Sequence, residues 1–295
     1  MYISEEQVRS RLRYSELIPA LRRALADFSA GRVDQPVRNV LSIAAHQGFC
    51  ALMPAVCGEI MGAKLVTFFP GNAALGLDTH HAVILLFKTS TGEPLAVMDG
   101  RLITEMRTAA VSAIATDLLA KPGARSLAIL GSGVQAGSHL EALRTVREFD
   151  DVRVWSRTAE HAERFAAAHG ARAMTAEQAV RGADVVVTVT SSRTPVLRGE
   201  WLGEAAHVNA IGAVGPTFRE LDDEAMRATL VVESRAAAER ESGDVILSGT
   251  PVYAEIGELI EGTKAAPAGG RTVYKSLGIA VEDLAAARIV QEAAG

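Results

Sequence analysis

Apolar residues recur at helical spacing from the start of the chain. Val8, Leu12, Leu17, Leu21, Leu25 and Phe28 fall on or near one face over residues 4–30, with arginines on the other. This predicts a pair of scaffold helices. From Val37 the pattern turns to short strands. VRNVLSIA, a turn at His46-Gln47-Gly48 and FCALMPAV read as a β-hairpin. GAKLVTFF and HAVILLFK follow, separated by the turn-rich PGNAALGLDT, and EPLAVMDG closes the set. Strand following strand implies a mostly antiparallel or mixed sheet. A long helix is predicted over Leu102–Leu119, apolar at Ile103, Met106, Ala110, Ile114 and Leu118, and Lys121-Pro122-Gly123 ends it.

Beyond that breaker the chain alternates. Strands are predicted at 126–130, 152–156, near Ala173, at 185–190, 207–212 and 230–234, with helices at 134–148, 159–169 and near 176–181. Continuous apolar strands alternating with helices indicate a doubly wound parallel sheet. Ala254–Ile260 reads as a short amphipathic piece, Asp222-Asp223-Glu224 as a solvated helix start, and Val281–Gln291 as a terminal helix. The fold class is therefore α/β, with domains at 1–121 and 122–275.

Composition narrows the function. With 48% hydrophobic and 22% charged residues among 295, the chain is an ordinary globular protein. A net charge of −5 gives no electrostatic footprint for nucleic acid or anionic lipid. Apolar runs such as Ala82–Phe87 are too short to span a bilayer, and residues 1–20 alternate charged and apolar side chains without the pattern of a secretory leader. These features predict a cytoplasmic protein with no membrane or nucleic-acid partner. Cys50 and Cys57 fit neither a disulfide framework nor a zinc pattern.

The stretch RSLAILGSGVQAGSHLEAL at 125–143 carries the chemistry. An apolar strand meets Gly131, Gly133 and Ala136, and a helical period begins at Val134 and Gln135. In a dinucleotide-binding unit the first glycine makes the turn and the second lets the backbone approach a pyrophosphate. The third position needs a small side chain for helix–strand packing. The next strand ends in Trp155-Ser156-Arg157-Thr158, without the carboxylate that would bond a ribose 2′-OH and repel a 2′-phosphate. Arginine flanked by two hydroxyls suits that phosphate, which favours NADPH over NADH. The competing reading is that Ser156 or Thr158 caps the following helix while Arg157 is solvated.

At this level of detail the sequence resembles the ornithine cyclodeaminase/mu-crystallin family, and within it the mu-crystallin-type ketimine reductases. The resemblance rests on AKLVTF around Lys64, AVMDG, ITEMRTAAVSAIAT at 103–116, LGSGVQAGSH at 130–139, HVNAIGAVGPTFRELDDEAM at 207–226, ESGDVILSG at 241–249 and YKSLGIAVEDLAAA at 274–287. It implies an N-terminal α/β substrate and dimerisation domain, a Rossmann domain, and a C-terminal helix, residues 276–295, returning to the first domain. It also implies a homodimer. Cyclodeaminases carry an aspartate shortly after the NAxG strand; Val214 stands there in this chain, and a valine cannot transfer a proton, which argues against ornithine cyclisation.

Reduction of a C=N bond asks the protein to anchor the substrate, keep the imine protonated and exclude water, while the nicotinamide supplies hydride. An imino acid brings a carboxylate, so cations should line the site, and Arg38, Lys64 and Arg107 are the candidates. Lys64 stands inside the apolar run Met61–Phe69, where an unpaired ammonium would be costly. The resemblance implies that Arg38 and Lys64 bind the substrate carboxylate and that Arg107 approaches both substrate and cofactor. It places Thr79 and His80 against the cofactor, and Lys275, Ser276 and Leu277 on the nicotinamide side. A structural role is the alternative for His81. Thr190, Ile211 and Ala213 lie at the carboxyl ends of parallel strands, where ligands bind in open α/β sheets. No carboxylate or further histidine stands at ligand spacing from His80-His81, so no metal is expected. The activity these residues imply is NADPH-dependent reduction of cyclic ketimines such as piperideine- or pyrroline-2-carboxylate. An alanine or N-alkyl amino acid dehydrogenase and a non-catalytic small-ligand binding protein are the alternatives.

Overall fold

The fold is described from a computed structural model covering residues 2–294, apart from the side chain of Ala73. The chain divides into two compact units, one formed by residues up to Arg107 together with those from Gly278, the other by Thr108–Leu277.

The first unit begins with β1 (Tyr2–Ile3) and α1 (Glu5–Arg11), which starts at a capping box between Ser4 and Gln7. Then comes α2 (Tyr14–Ser29), which buries Leu17, Leu21 and Leu25 along one stripe. Strands β2 (Val33–Asp34), β3 (Asn39–Ile43), β4 (Gly48–Cys57), β5 (Ile60–Phe68), β6 (His80–Lys88) and β7 (Pro94–Asp99) follow. They pair in the order β1-β7-β6-β5-β4-β2, with β3 also on β4; β1 joins β7 in parallel and the other pairings are antiparallel. The expected hairpin is present, with Ile43 opposite Gly48 and Asn39 opposite Leu52. The stretch expected as a loop at 70–75 winds into a 3₁₀ turn.

Side-chain alternation gives this sheet two unlike faces. Ala51, Met53, Ala55, Val66, Ile84 and Leu86 are buried on the inner face, where the C-terminal helix Ala280–Glu292 packs beside α2. Leu52, Val56, Leu65 and Val83 point the other way and stay exposed.

Helix α3 (Arg101–Leu119) contributes to both units, since the division falls after Arg107. The second unit continues with β8 (Ser126–Leu130), α4 (Val134–Arg144), β9 (Asp151–Trp155), α5 (Ala159–His169), β10 (Arg172–Ala173), α6 (Ala176–Val180), β11 (Val185–Thr188) and β12 (His207–Ala210). After them come β13 (Thr229–Val232), α7 (Arg235–Glu241), α8 (Gly243–Ser248), β14 (Val252–Glu255), α9 (Ile256–Glu261) and β15 (Thr272–Lys275). All eight strands are parallel, in the order β10-β9-β8-β11-β12-β15-β13-β14. The doubly wound sheet is thus present. Its order reverses between β8 and β11, the position where such sheets bind dinucleotides.

Three local expectations are corrected. β15 was not expected from the pattern and lies in the middle of the sheet, between β12 and β13. TVYK is buried throughout but mixes apolar and polar residues, so neither strand periodicity appears. Ala254–Ile260 is the end of a strand followed by a short helix. Asp222-Asp223-Glu224 starts no helix; the Asp222 carboxylate accepts from the Gly199 and Ala225 amides (2.9 and 2.8 Å) and fixes a turn.

Candidate active site

In the first unit, the cations predicted as a substrate anchor come together. Lys64 lies on the inner face of β5, 1% exposed, with its Nζ 2.7 Å from Asp283 Oδ2. Arg107 donates from Nε to Asp283 Oδ1 (3.0 Å) and from a terminal nitrogen to Glu282 (2.9 Å). Arg38, half-buried just before β3, donates to the Gly278 carbonyl at 2.7 Å. Both acids occupy the first turn of the C-terminal helix, where the helix dipole favours negative charge.

Two glycines stand in tight places in this arrangement. At Gly62, on the face shared with Lys64, a Cβ would lie 2.1 Å from the Leu85 carbonyl oxygen of the neighbouring strand and 3.0 Å from the end of the Leu284 side chain, so the strand pairing itself excludes a side chain there. Gly278 has φ +74°, and a Cβ there would stand 2.2 Å from the Arg107 guanidinium.

Burial pushes the Lys64 ammonium down to about 8, with Arg107 and Arg38 adding to the depression and Asp283 opposing it. Three cationic side chains, Arg38, Lys64 and Arg107, thus lie beside the Glu282 and Asp283 carboxylates. His80 shares the inner face of the sheet with Lys64; its ring packs 4.6 Å from that of Phe68, and its Nδ1 lies 3.2 Å from the Thr79 hydroxyl. His80 is exposed, and partial loss of hydration against the sheet, and then the charge of Lys64, hold its imidazole below the usual value. His81 points to the opposite face by strand alternation.

In the second unit, Gly131 has φ +125°, and a Cβ would meet the Val189 carbonyl oxygen at 2.7 Å. The turn there requires glycine. Gly133 is the N-cap of α4, with no side chain capping the helix, and a Cβ placed on it meets open space. Ala136 is fully buried against the sheet, and Val134 is exposed at the turn. The residues therefore fit a pyrophosphate: free helix N–H groups, room for close approach and a small packing residue. The Ser156 hydroxyl lies 3.0 Å from that of Ser132, and Thr158 occupies the N-cap position of α5 without a capping bond. Arg157 is exposed, with no ion pair to another described residue.

Thr190 follows β11, and Ile211 and Ala213 follow β12, at the carboxyl edge of the sheet. Lys275 is fully buried, 3.2 Å from Asp244. The Ser276 hydroxyl and the Leu277 amide both donate to Glu233 (2.7 and 2.8 Å). Glu282 and Asp283 were not expected in the site, and neither were Glu220, Glu233 and Asp244. Glu233, Asp244, Glu282 and Asp283 each have one sequence signal, a carboxylate inside an otherwise apolar or small-residue stretch, which Glu220, among Arg219, Asp222 and Asp223, lacks.

The family model for the ornithine cyclodeaminase/mu-crystallin family matches residues 1–295. The chain belongs to that family. It is 50% identical over 301 residues to the ketimine reductase mu-crystallin of Mus musculus, covering 99% of this chain and 96% of the mouse protein. Among solved structures of the family fold, Thermococcus litoralis Δ1-pyrroline-2-carboxylate reductase, in complex with NADH and L-proline, superposes with a TM-score of 0.95 at 32% identity. It covers all of this chain, which spans 97% of that one. An archaeal alanine dehydrogenase dimer with bound NAD gives the same TM-score at 34% identity, covering 100% and 95%. Among the described residues no helix is long and apolar enough to cross a membrane, and no group of three or more His, Cys, Asp or Glu is placed to hold a metal.

Proposed function

We propose that this protein reduces cyclic 2-imino acids of the piperideine-2-carboxylate or pyrroline-2-carboxylate type to the corresponding cyclic amino acids, with NADPH. As a member of the ornithine cyclodeaminase/mu-crystallin family similar throughout to reductases of cyclic imines, it is a nicotinamide-dependent oxidoreductase acting on carbon–nitrogen bonds. The observation that carries the substrate reading is the cluster in the first unit. Lys64 and Arg107, held by Asp283 and Glu282, and Arg38 at the Gly278 carbonyl gather three cations on one side of this unit, a setting suited to a substrate carboxylate.

When bound, the nicotinamide supplies hydride to C2 of the imine. Arg38 and Lys64 hold the carboxylate, Arg107 orients it, and Asp283 keeps the last two side chains in register. Lys64, with an ammonium that titrates near 8, holds a proton within reach of neutral pH for the imine nitrogen. Val214, exposed after β12, offers no proton for the water attack that cyclodeamination requires.

The cofactor reading is supported by Arg157 and Thr158, neither of which is engaged in capping or pairing, and by the absence of a carboxylate at the tip of β9. The resident dinucleotide is then held by Gly131, Gly133, Val134 and Gln135 at the pyrophosphate and by Ser156, Arg157 and Thr158 at the 2′-phosphate. The working form is a homodimer. The outward face of β4, β5 and β6, with Leu52, Val56, Leu65 and Val83 exposed, supports pairing with a second copy, as does the similarity to a dimeric alanine dehydrogenase.

Initial rates separate the activities. Preformed cyclic imine should be turned over efficiently, with pyruvate plus ammonia or methylamine poor by comparison. Brisk reductive amination with negligible reduction of the cyclic imines would assign an amino acid dehydrogenase instead, and tight ligand binding without turnover a binding protein.

A further inference from the structure

Glu220 is a heavily engaged carboxylate of the second unit. It is fully buried and accepts four hydrogen bonds. One oxygen takes the Thr190 amide (2.6 Å) and the Thr190 hydroxyl (2.7 Å); the other takes the Gly212 amide (2.7 Å) and the Thr188 hydroxyl (2.8 Å). One side chain thus ties the segment leaving β11 to the segment leaving β12. The two are in backbone contact, since a Cβ on Gly212 would lie 2.0 Å from the Thr190 carbonyl oxygen.

Glu220 is itself held in place. Its amide and that of Leu221 donate to Asp244 Oδ1 (2.9 and 3.0 Å), and Asp244 Oδ2 lies 3.2 Å from Lys275 Nζ at the end of β15. Lys275 is in register with Ala210 of β12, and the Ser276 amide donates to the Ala210 carbonyl (3.0 Å). The carboxyl ends of three neighbouring strands are joined through a buried chain of two acids and one base, remote in sequence from the phosphate-binding turn.

A doubly wound dinucleotide sheet is built from two mononucleotide halves on either side of the reversal in strand order. In this sheet the first half contains β8, β9 and β10 with the Gly131–Ala136 turn, and the second contains β11, β12 and β15. We infer that Glu220, supported by Asp244 and Lys275, is a positioning residue that sets the strand ends of the second half for the nicotinamide mononucleotide, leaving the adenosine half to the Gly131 turn and Arg157. The inference rests on the dinucleotide reading of the second unit.

Glu220→Gln tests it with almost no change of shape. Hydroxyl donors can turn round to accept, but backbone N–H groups cannot. Whichever way the new amide is placed, its NH₂ faces either the Thr190 or the Gly212 N–H, so one strand end is released. Binding is measured by titration calorimetry with NADPH and with 2′,5′-ADP, which lacks the nicotinamide half, alongside the melting temperature of the ligand-free protein. The expected result is NADPH affinity weakened about tenfold or more, equivalent to about 1.4 kcal/mol, with 2′,5′-ADP affinity within about twofold of wild type. Parallel loss of both ligands would make Glu220 a general structural residue and overturn the inference, as would unchanged NADPH affinity. If Glu220→Gln does not fold, Asp244→Asn carries the same test. Wild-type protein that binds none of NADPH, NADH and 2′,5′-ADP would refute the dinucleotide reading and this inference with it.

Discussion

Asp283 stands between the two buried cations, so replacing it by asparagine perturbs both at once without changing volume. Lys64 already titrates at about 8 against an ordinary 10.5, and that depression amounts to about 3 kcal/mol against the charged form. It would be larger without Asp283, whose charge and hydrogen bond both act to raise it. A charge-assisted bond of this kind contributes about 1.5–3 kcal/mol. Its loss should move the alkaline limb of kcat/KM about one to two pH units toward acid. The assay is kcat/KM for a preformed cyclic imine from pH 6 to 10 in both proteins; the substrate's own titration is common to both and cancels in the comparison.

Stability gives an independent check on the same group. Because the folded value of Lys64 lies below its unfolded value, the folded protein bears the cost of the charge in full below pH 8. It sheds that cost as pH rises from 8 to 10.5. Asp283→Asn should be destabilised by about 3–5 kcal/mol while Lys64 is charged, with the gap to wild type narrowing as pH rises. An alkaline limb that stays at the same pH, or a gap that widens toward alkali, would refute the pairing of Lys64 with Asp283 as the source of its behaviour.

Arg157→Ala should weaken NADPH about ten- to a hundredfold and leave NADH almost untouched, and Ser156→Asp should go further by repelling the phosphate; equal losses for both cofactors in equilibrium titrations would restore the capping reading. Gly278→Ala forces a side chain into left-handed backbone and into the Arg107 guanidinium. It should destabilise the protein by about 1–3 kcal/mol in urea unfolding and raise KM for the imino acid more than it lowers kcat, whereas a stability loss with unchanged KM would show that Arg107 does not meet the substrate.

The sequence was most legible where a physical constraint is local. The helical stripe of α2, the β3–β4 hairpin and the Gly131 turn are each set by residues within a few positions of one another, and each stands where the pattern puts it. Lys64 announces itself because an ammonium in an apolar strand needs a partner. The partner was not legible, since Asp283 lies 219 positions further along and reaches Lys64 only through the packing of the C-terminal helix on the sheet. Similarly, Glu220 reads as one charge in an acidic run and Lys275 as a cofactor-side residue, and with Asp244 they become a connected chain only when β15 takes its place between β12 and β13. Short buried strands and buried acids carry their signal in the tertiary structure, beyond the reach of periodicity.

The first unit is made from two segments that flank the second, which orders its assembly during biosynthesis. Its sheet and α2 emerge early, yet the helix bearing Glu282 and Asp283 follows the whole second unit. Until residues past Gly278 leave the ribosome, Lys64 and Arg107 lack the Asp283 and Glu282 carboxylates, and the inner face of the sheet lacks one of its covering helices. The second unit, continuous in sequence, can close while still tethered, whereas the Lys64–Arg107 cluster is completed only after the second unit has been synthesised.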